Sequence, residues 1–396
     1  MVIRHEWPAV LTGLTATFVG VGVARFAYTP LLPALIEQGW FSASQAAYLG
    51  AANLLGYLIG ALLAHTLSER FAVRHVVVLS FAAVTLSFLF CASPASFQWF
   101  FLWRLVSGIA GAILMVVGPS VAIAATPLAR RASVGTLMFT GIGLGALLSA
   151  LVMPLLLEWS LTATWLVLAA LALAASVYGS RCLQQLPSPA SDALSASAST
   201  GGKLAGLPLI AAVVIAAYAL DAFGFVPHTL FWVDYLAREQ GQGTSAASIQ
   251  WARFGLGALL GPLLARGLSQ WLGCQTSLSL AYLIKALAVA LPLLSVALVS
   301  RSVSSFLVGA MVPATVALTS GRLAELVGPQ AHKRLWGYAT ATFALAQASA
   351  GYSMSALANL WGSYTPLFAI GALTLAGGCL LVTLSRWLPT PHTPPR

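Results

Sequence analysis

Charge is what this chain has least of: 19 Lys and Arg and 9 Asp and Glu among 396 residues, 7% in all, against 59% hydrophobic residues and a mean hydropathy of +0.89. Too little polar surface exists to clothe a water-soluble globule, so a membrane-embedded chain is expected. Cysteine is nearly as scarce. Cys91, Cys182, Cys274 and Cys379 lie far apart, with neither metal-ligand spacing nor the density of a disulfide framework, and read as small packing residues. Gly-x-Ser-x-Gly, His-Glu-x-x-His and Gly-Lys-Ser/Thr are also missing, which leaves hydrolysis and ATP-driven transport without machinery and calls for no cofactor or metal. The net charge of +10 comes without a clustered basic face, so nucleic acid is not an expected partner.

What is present is a succession of long apolar runs. A spanning helix needs about 20 such residues, and twelve stretches qualify: Pro8 to Leu35, Ser44 to Leu67, Val73 to Ala92, Gln98 to Ala124, Ser133 to Leu156, Thr162 to Leu183, Leu207 to Leu230, Ala247 to Leu268, Leu278 to Leu298, Ser302 to Val327, Leu335 to Leu360 and Pro366 to Leu388. They are too long and too continuously apolar for barrel strands. The first carries on apolar past Arg25 into Tyr28-Thr-Pro30 and so reads as a retained span, not a signal peptide. An all-α membrane protein of twelve transmembrane helices is predicted. Lys and Arg concentrate in the breaks of one side, from Arg4, Arg70 and Arg74 to Lys333, Arg334 and Arg386, while the other side holds only Arg238 and Arg301. Cytoplasmic loops retain such cations, so both termini are expected in the cytoplasm and the lipid bilayer is the surrounding partner.

Residues 186–206 form a small, polar, low-complexity segment, a linker between an N-terminal six-helix bundle (1–185) and a C-terminal one (207–396). Ile36-Glu-Gln-Gly39 after the first run echoes Arg238-Glu-Gln-Gly241 after the seventh.

Two local patterns carry a family resemblance. Gly22-Val-Ala-Arg-Phe-Ala-Tyr-Thr-Pro-Leu-Leu-Pro33 with Asn53-Leu-Leu-Gly-Tyr-Leu-Ile-Gly-Ala61, and later Gly224-Phe225 to Thr229 and Thr342-Phe343 with Gln347 and Gly351, resemble the YbfB/YjiJ-like branch of the major facilitator superfamily. The resemblance implies two pseudo-symmetric six-helix bundles, alternating access to a site near the membrane midplane, and action as a single chain. The 2–3 loop resembles that superfamily's Gly-x-x-x-Asp-Arg-x-Gly-Arg pattern through Glu69, Arg70 and Arg74, with His65 and Ala72 in place of glycines. Arg104-Leu-Val-Ser-Gly108 resembles its Arg-x-x-x-Gly motif, whose Arg is linked to proton coupling. Gly141-Ile-Gly-Leu-Gly145-Ala146 is similar to an antiporter pattern, with Ala146 replacing the proline.

Ionisable side chains inside hydrocarbon are costly and mark function. Arg25 falls near mid-bilayer and is read as a solute ligand, with Tyr28 on its face at i+3. Asp221 is the one carboxylate placed deep in a run and is read as a proton carrier, with His228 two turns on and Tyr218 at i−3. Arg25 and Asp221 are expected to meet in one aqueous chamber bounded by both bundles. Arg253, flanked by Trp251 and Phe254, is a further ligand candidate, whereas Lys285 falls in a peripheral helix. Asn53, Tyr57, Phe225 and Gln347 complete the expected lining, and Gly108, Gly111, Gly141 and Gly145 are expected to let helices approach closely.

The function that follows is secondary active transport of a small organic solute, possible anion character following from the excess of arginines over the one aspartate, with protons as the coupling partner. Two alternatives remain: proton-driven efflux of amphipathic compounds past Phe223, Phe225, Trp232, Trp251 and Phe343, and a non-transporting membrane sensor, against which stands the lack of any long soluble segment.

Overall fold

The computed structural model describes residues 4–187 and 208–388, and among them every regular element is helical. The helices are α1 (Trp7–Glu37), α2 (Ala43–Arg70), α3 (Val73–Phe90), α4 (Phe97–Ala124), α5 (Arg131–Leu157), α6 (Leu161–Gln184), α7 (Leu209–Glu239), α8 (243–272), α9 (274–294), α10 (Leu298–Gly328), α11 (329–361) and α12 (Thr365–Ser385). The breaks between α8 and α9 and between α10 and α11 are single residues, Gly273 at φ 74° and Gly328 at φ 73°, a backbone region open to glycine and closed to most side chains. Elsewhere hydroxyls stop the fraying of helix starts: Ser42 and Gln45 form a reciprocal box at α2, and Ser96 and Ser160 accept from the third residue of α4 and α6.

Ten of the runs agree with the expected limits to within four residues, and the eleventh begins six residues earlier, at 329. The seventh departs further, for α7 continues past Leu230 to Glu239. The linker expected at 186–206 lies outside the described residues except for 186 and 187.

The two bundles are pseudo-copies at the level of backbone contact. A Cβ on Gly56, Gly60 or Gly108 would fall 2.1–2.2 Å from the carbonyls of Leu105, Ile109 and Asn53, where α2 crosses α4. Gly257, Gly261 and Gly309, each 201 residues later, stand equally close to the carbonyls of Phe306, Ala310 and Phe254, where α8 crosses α10. Small residues bring helix backbones together where lipid supplies no hydrophobic drive. The tetrapeptide echo has the same origin, since Gly39 and Gly241 both take positive φ (71° and 63°) beyond the ends of α1 and α7.

The bundles meet through α5 and α8, where a Cβ on Gly143 would lie 2.1 Å from the Leu259 nitrogen and one on Gly255 2.4 Å from that of Leu147. They meet again where Gly351 of α11 packs on Leu54 of α2, and Leu230 of α7 on Gly50. By contrast Gly141 and Gly145 pack on α1 within the N-terminal bundle.

Candidate functional site

The first helix of each bundle is irregular at depth. In α1, residues Phe18–Val23 are π-helical and 24–27 form an open turn; in α7 the chain loosens at Phe225 and is π-helical over Pro227–Phe231 and Tyr235–Glu239. Loosened turns release carbonyls that lipid cannot satisfy, so polar side chains must meet them. Arg104 donates from Nη1 to the Ala24 carbonyl at 3.0 Å, Asn53 Nδ2 lies 3.5 Å from the same oxygen, Trp251 of α8 donates to the Phe26 carbonyl at 3.1 Å, and the Thr29 hydroxyl donates to the Thr229 carbonyl at 2.5 Å.

Arg25 sits in that open turn of α1. Its Nη1 donates to Gln347 Oε1 of α11 at 2.7 Å, a hydrogen bond between the bundles. Its Nη2 is buried without a partner, and so is Gln347 Nε2. Tyr57 stands within electrostatic reach of Arg25 and of Tyr218. The gap bounded by Arg25, Asn53, Arg104 and Thr229 offers about 10 Å³ of water-sized space, close to the minimum for one water.

Arg104 is buried rather than reaching for the interface, its guanidinium 4.3 Å from the centre of the Tyr28 ring. Tyr28, expected to join Arg25, instead donates its hydroxyl to the Ala46 carbonyl at 2.7 Å. Arg253 is half-buried with Nη1 unpartnered.

The expectation that Asp221 meets Arg25 in a shared chamber is overturned. Asp221 is fully buried within the C-terminal bundle, held by Lys285 Nζ of α9 at 2.8 and 3.0 Å and by the Thr315 hydroxyl of α10 at 3.2 Å. Lys285, expected at the periphery, is equally buried because its face of α9 turns inward onto α7 and α10. Phe225, expected against the solute, offers its ring to that ammonium at 4.2 Å. His228 bonds Ser304 at 2.7 Å and stacks on Trp232 at 4.5 Å, while Tyr218 stacks between Trp336 and Phe343. Trp232 and Trp251, invoked for an aromatic-lined cavity, are wholly buried in packing.

In the last turns of α2 Glu69 lies 3.3 Å from His65 on the surface, a contact of small energetic weight. Arg70 ends α2, and Arg74 reaches the Gln184 carbonyl at the close of α6 at 3.5 Å.

A second carboxylate is buried nearer the end of α7. Asp234 is fully buried, gripped bidentately by Arg238 and receiving the Tyr364 hydroxyl. Burial, and then the Asp234 charge, hold the Tyr364 hydroxyl well above its usual range, so it remains a donor. Glu239 accepts from Ser363, the Tyr364 amide and Thr365. Beside this cluster a cavity of about 300 Å³ opens between the bundles, lined by Ser44 and Ala47 of α2, Ser355 and Asn359 of α11, and Arg238. The signal that could have found Asp234 is its i,i+4 spacing from Arg238, which cancels the cost of carrying a helix on through both. Among the described residues no three His, Cys, Asp or Glu side chains converge as a metal site.

Comparison with known proteins agrees with this architecture. A family profile described as "Uncharacterised MFS-type transporter YbfB" matches residues 17–383. Two Escherichia coli proteins, the putative uncharacterized transporter YgaY of strain K12 and its O157:H7 counterpart, are each 31% identical over 154 residues, spanning 39% of this chain and 39% of their own length. Among solved structures, the E. coli xylose transporter XylE in a partially occluded inward-open conformation superposes with a TM-score of 0.76 at 15% identity, covering 100% of both chains. The proton:xylose symporter XylE bound to 6-bromo-6-deoxy-D-glucose gives 0.76 at 17% identity, covering 98% of this chain and 96% of that one.

Proposed function

Because the chain belongs to the YbfB-type family of major facilitator superfamily transporters, we propose that it moves a small organic solute bearing a carboxylate across the bacterial inner membrane, by alternating access and in company with protons. The observation that carries the solute class is the pair of unspent donors, Arg25 Nη2 from one bundle and Gln347 Nε2 from the other, beside a bond that already joins the two side chains. Buried donors without acceptors are costly. Arg104, also cationic, lies at the same gap, and Asp221 is already neutralised by Lys285. In this reading the acceptor that completes the site arrives with the solute once the bundles part, since the gap as it stands has room for about one water, and a carboxylate supplies two oxygens in the geometry a guanidinium prefers.

Alternating access follows from ligands on both sides of the bundle interface: a solute held by Arg25 and Gln347 favours the closed arrangement, and separation of α1 from α11 releases it. The proton reading draws support from the description of XylE as a proton symporter, a statement about that protein. The Lys and Arg distribution supports cytoplasmic termini, and the chain works as a single copy in this reading. The site assignment divides the roles: Arg25 and Gln347 bind the solute; Asn53 and Arg104 hold the open turn of α1; Tyr57 and Arg253 border the path.

The test is thermal stabilisation of the purified protein by a series of aliphatic carboxylates and their amides. Carboxylates are expected to raise the melting temperature, and Arg25→Gln to remove the effect. Equal stabilisation by carboxylates and amides refutes the anion reading.

A further inference from the structure

Several aromatic side chains of the C-terminal bundle form one stacked column along α11 and α7. His332 stacks on Trp336 with 6.3 Å between ring centres, Trp336 on Tyr218 at 5.7 Å, Tyr218 on Phe343 at 4.5 Å and Phe343 on Phe225 at 6.1 Å. Successive planes are 15–38° apart, so each ring offers its neighbour a face rather than an edge, one of the arrangements that ring quadrupoles favour. We propose that the solute bound by Arg25 and Gln347 is an aryl-substituted carboxylate, whose ring rests on this column and moves along it to the cytoplasmic face. The inference rests on the carboxylate and orientation readings proposed above and adds the other end of the molecule.

Position on α11 ties the column to the site. Phe343, Thr340 and Trp336 precede Gln347 by four, seven and eleven residues, intervals that return to the same helix face. From that face Gln347 reaches Arg25 of the other bundle, so the rings look toward the bundle interface. Tyr338 and Leu345, exposed and far round the helix, mark the lipid side instead. Burial decides which rings are available. Gln347 is 1% exposed and Phe225 2%, the latter covered by the Lys285 ammonium, whereas Phe343, Thr340, Trp336 and His332 are all half-buried. Rings that only packed a core would be closed off along the whole length; this face opens step by step toward the end that carries the termini.

The N-terminal bundle adds a further half-buried ring, Tyr57 of α2, within electrostatic reach of both Arg25 and Tyr218. Phe343 lies one turn from Gln347, a rise of about 5.4 Å. A spacer of one or two carbons between carboxyl and ring bridges that rise, and the ring then meets Phe343. An alkyl chain there would gain burial and nothing more. A flat ring gains stacking as well, and Trp336 and His332 repeat the same footing further out, so the ring can make its next contact before it gives up the last.

The experiment is calorimetric titration of the full chain in detergent with phenylpropanoate, cyclohexylpropanoate and phenylpropanamide. Phenylpropanoate is expected to bind about 2- to 12-fold more tightly than cyclohexylpropanoate; the cyclohexyl ring is the more apolar, so burial alone would favour the opposite order. In Phe343→Leu the ratio of the two affinities is expected to fall to about one. Trp336→Leu, one step further out, should keep that ratio and slow vesicle uptake of phenylpropanoate relative to cyclohexylpropanoate. Equal affinities in wild type, no binding of phenylpropanoate, or a ratio that survives Phe343→Leu overturns the aryl site, and unchanged relative uptake in Trp336→Leu overturns the exit along the column. The amide is read separately: if it binds as tightly as phenylpropanoate, the carboxylate reading falls and the preference for a ring stands.

Discussion

Replacing one member of the Asp221–Lys285 pair should be far more damaging than replacing both. Each is 0% exposed, so solvent screens neither. In Lys285→Met the aspartate keeps only the Thr315 hydroxyl, and in Asp221→Leu the ammonium keeps Thr315 and the Phe225 ring. Breaking a buried ion pair from one side costs about 3–5 kcal/mol, whereas exchanging both members for apolar groups of similar volume is often neutral or better. At roughly 2–4 °C per kcal/mol for a domain the size of one bundle, each single variant should melt about 6–20 °C lower. The double variant Asp221→Leu/Lys285→Met should return to within a few degrees of wild type, because Thr315 retains the Met311 carbonyl. Differential scanning calorimetry in detergent would measure all four proteins. Singles that melt with wild type, or a double variant as low as the worse single, would refute the account of the pair as mutually dependent buried charges.

Arg25→Lys preserves charge and loses the planar fork, so carboxylate binding measured by calorimetric titration should weaken by about 1.5–3 kcal/mol, roughly 10- to 150-fold. Arg104→Gln uncaps the Ala24 carbonyl and should lower stability by about 1–3 kcal/mol, seen as a lower melting temperature. Gly143→Val places side-chain atoms where the α8 backbone lies and should abolish vesicle uptake while the protein still inserts; uptake at the wild-type rate would contradict the close α5–α8 crossing. Tyr364→Phe removes one donor from Asp234 while Arg238 remains, and should cost only about 1 kcal/mol.

The helical spans were legible because hydrocarbon thickness imposes a length and Lys and Arg punctuate it. The end of α7 was not, since Asp234 and Arg238 read as the start of a loop until seen to neutralise one another with Tyr364. The 201-residue repeat was present in the spacing of Gly56, Gly60 and Gly108 against Gly257, Gly261 and Gly309, but glycine is common enough that only the crossing geometry separates these from the rest. For the site, hydropathy marked Arg25, Arg104 and Asp221 as anomalies without saying which would face which. Partnering depends on helix rotation, and the irregular turns of α1 and α7 alter that rotation in ways a regular 3.6-residue period does not convey. Hence Lys285 was undervalued and Asp221 was assigned to the wrong neighbour.

The bare crossing of α5 and α8 also says where resistance to motion resides. Main chain lies against main chain at Gly143 and Gly255, so that contact acts as a smooth bearing, with no side chain to withdraw before one bundle turns on the other. What holds the resting pose is then a handful of polar stitches, Thr29 to Thr229, Trp251 to Phe26 and Arg25 to Gln347. At about 1 kcal/mol for each neutral bond and about 1.5–3 kcal/mol for the one from Arg25, they are weak enough to be undone one at a time, and a solute that bridges Arg25 and Gln347 would tighten the last of them.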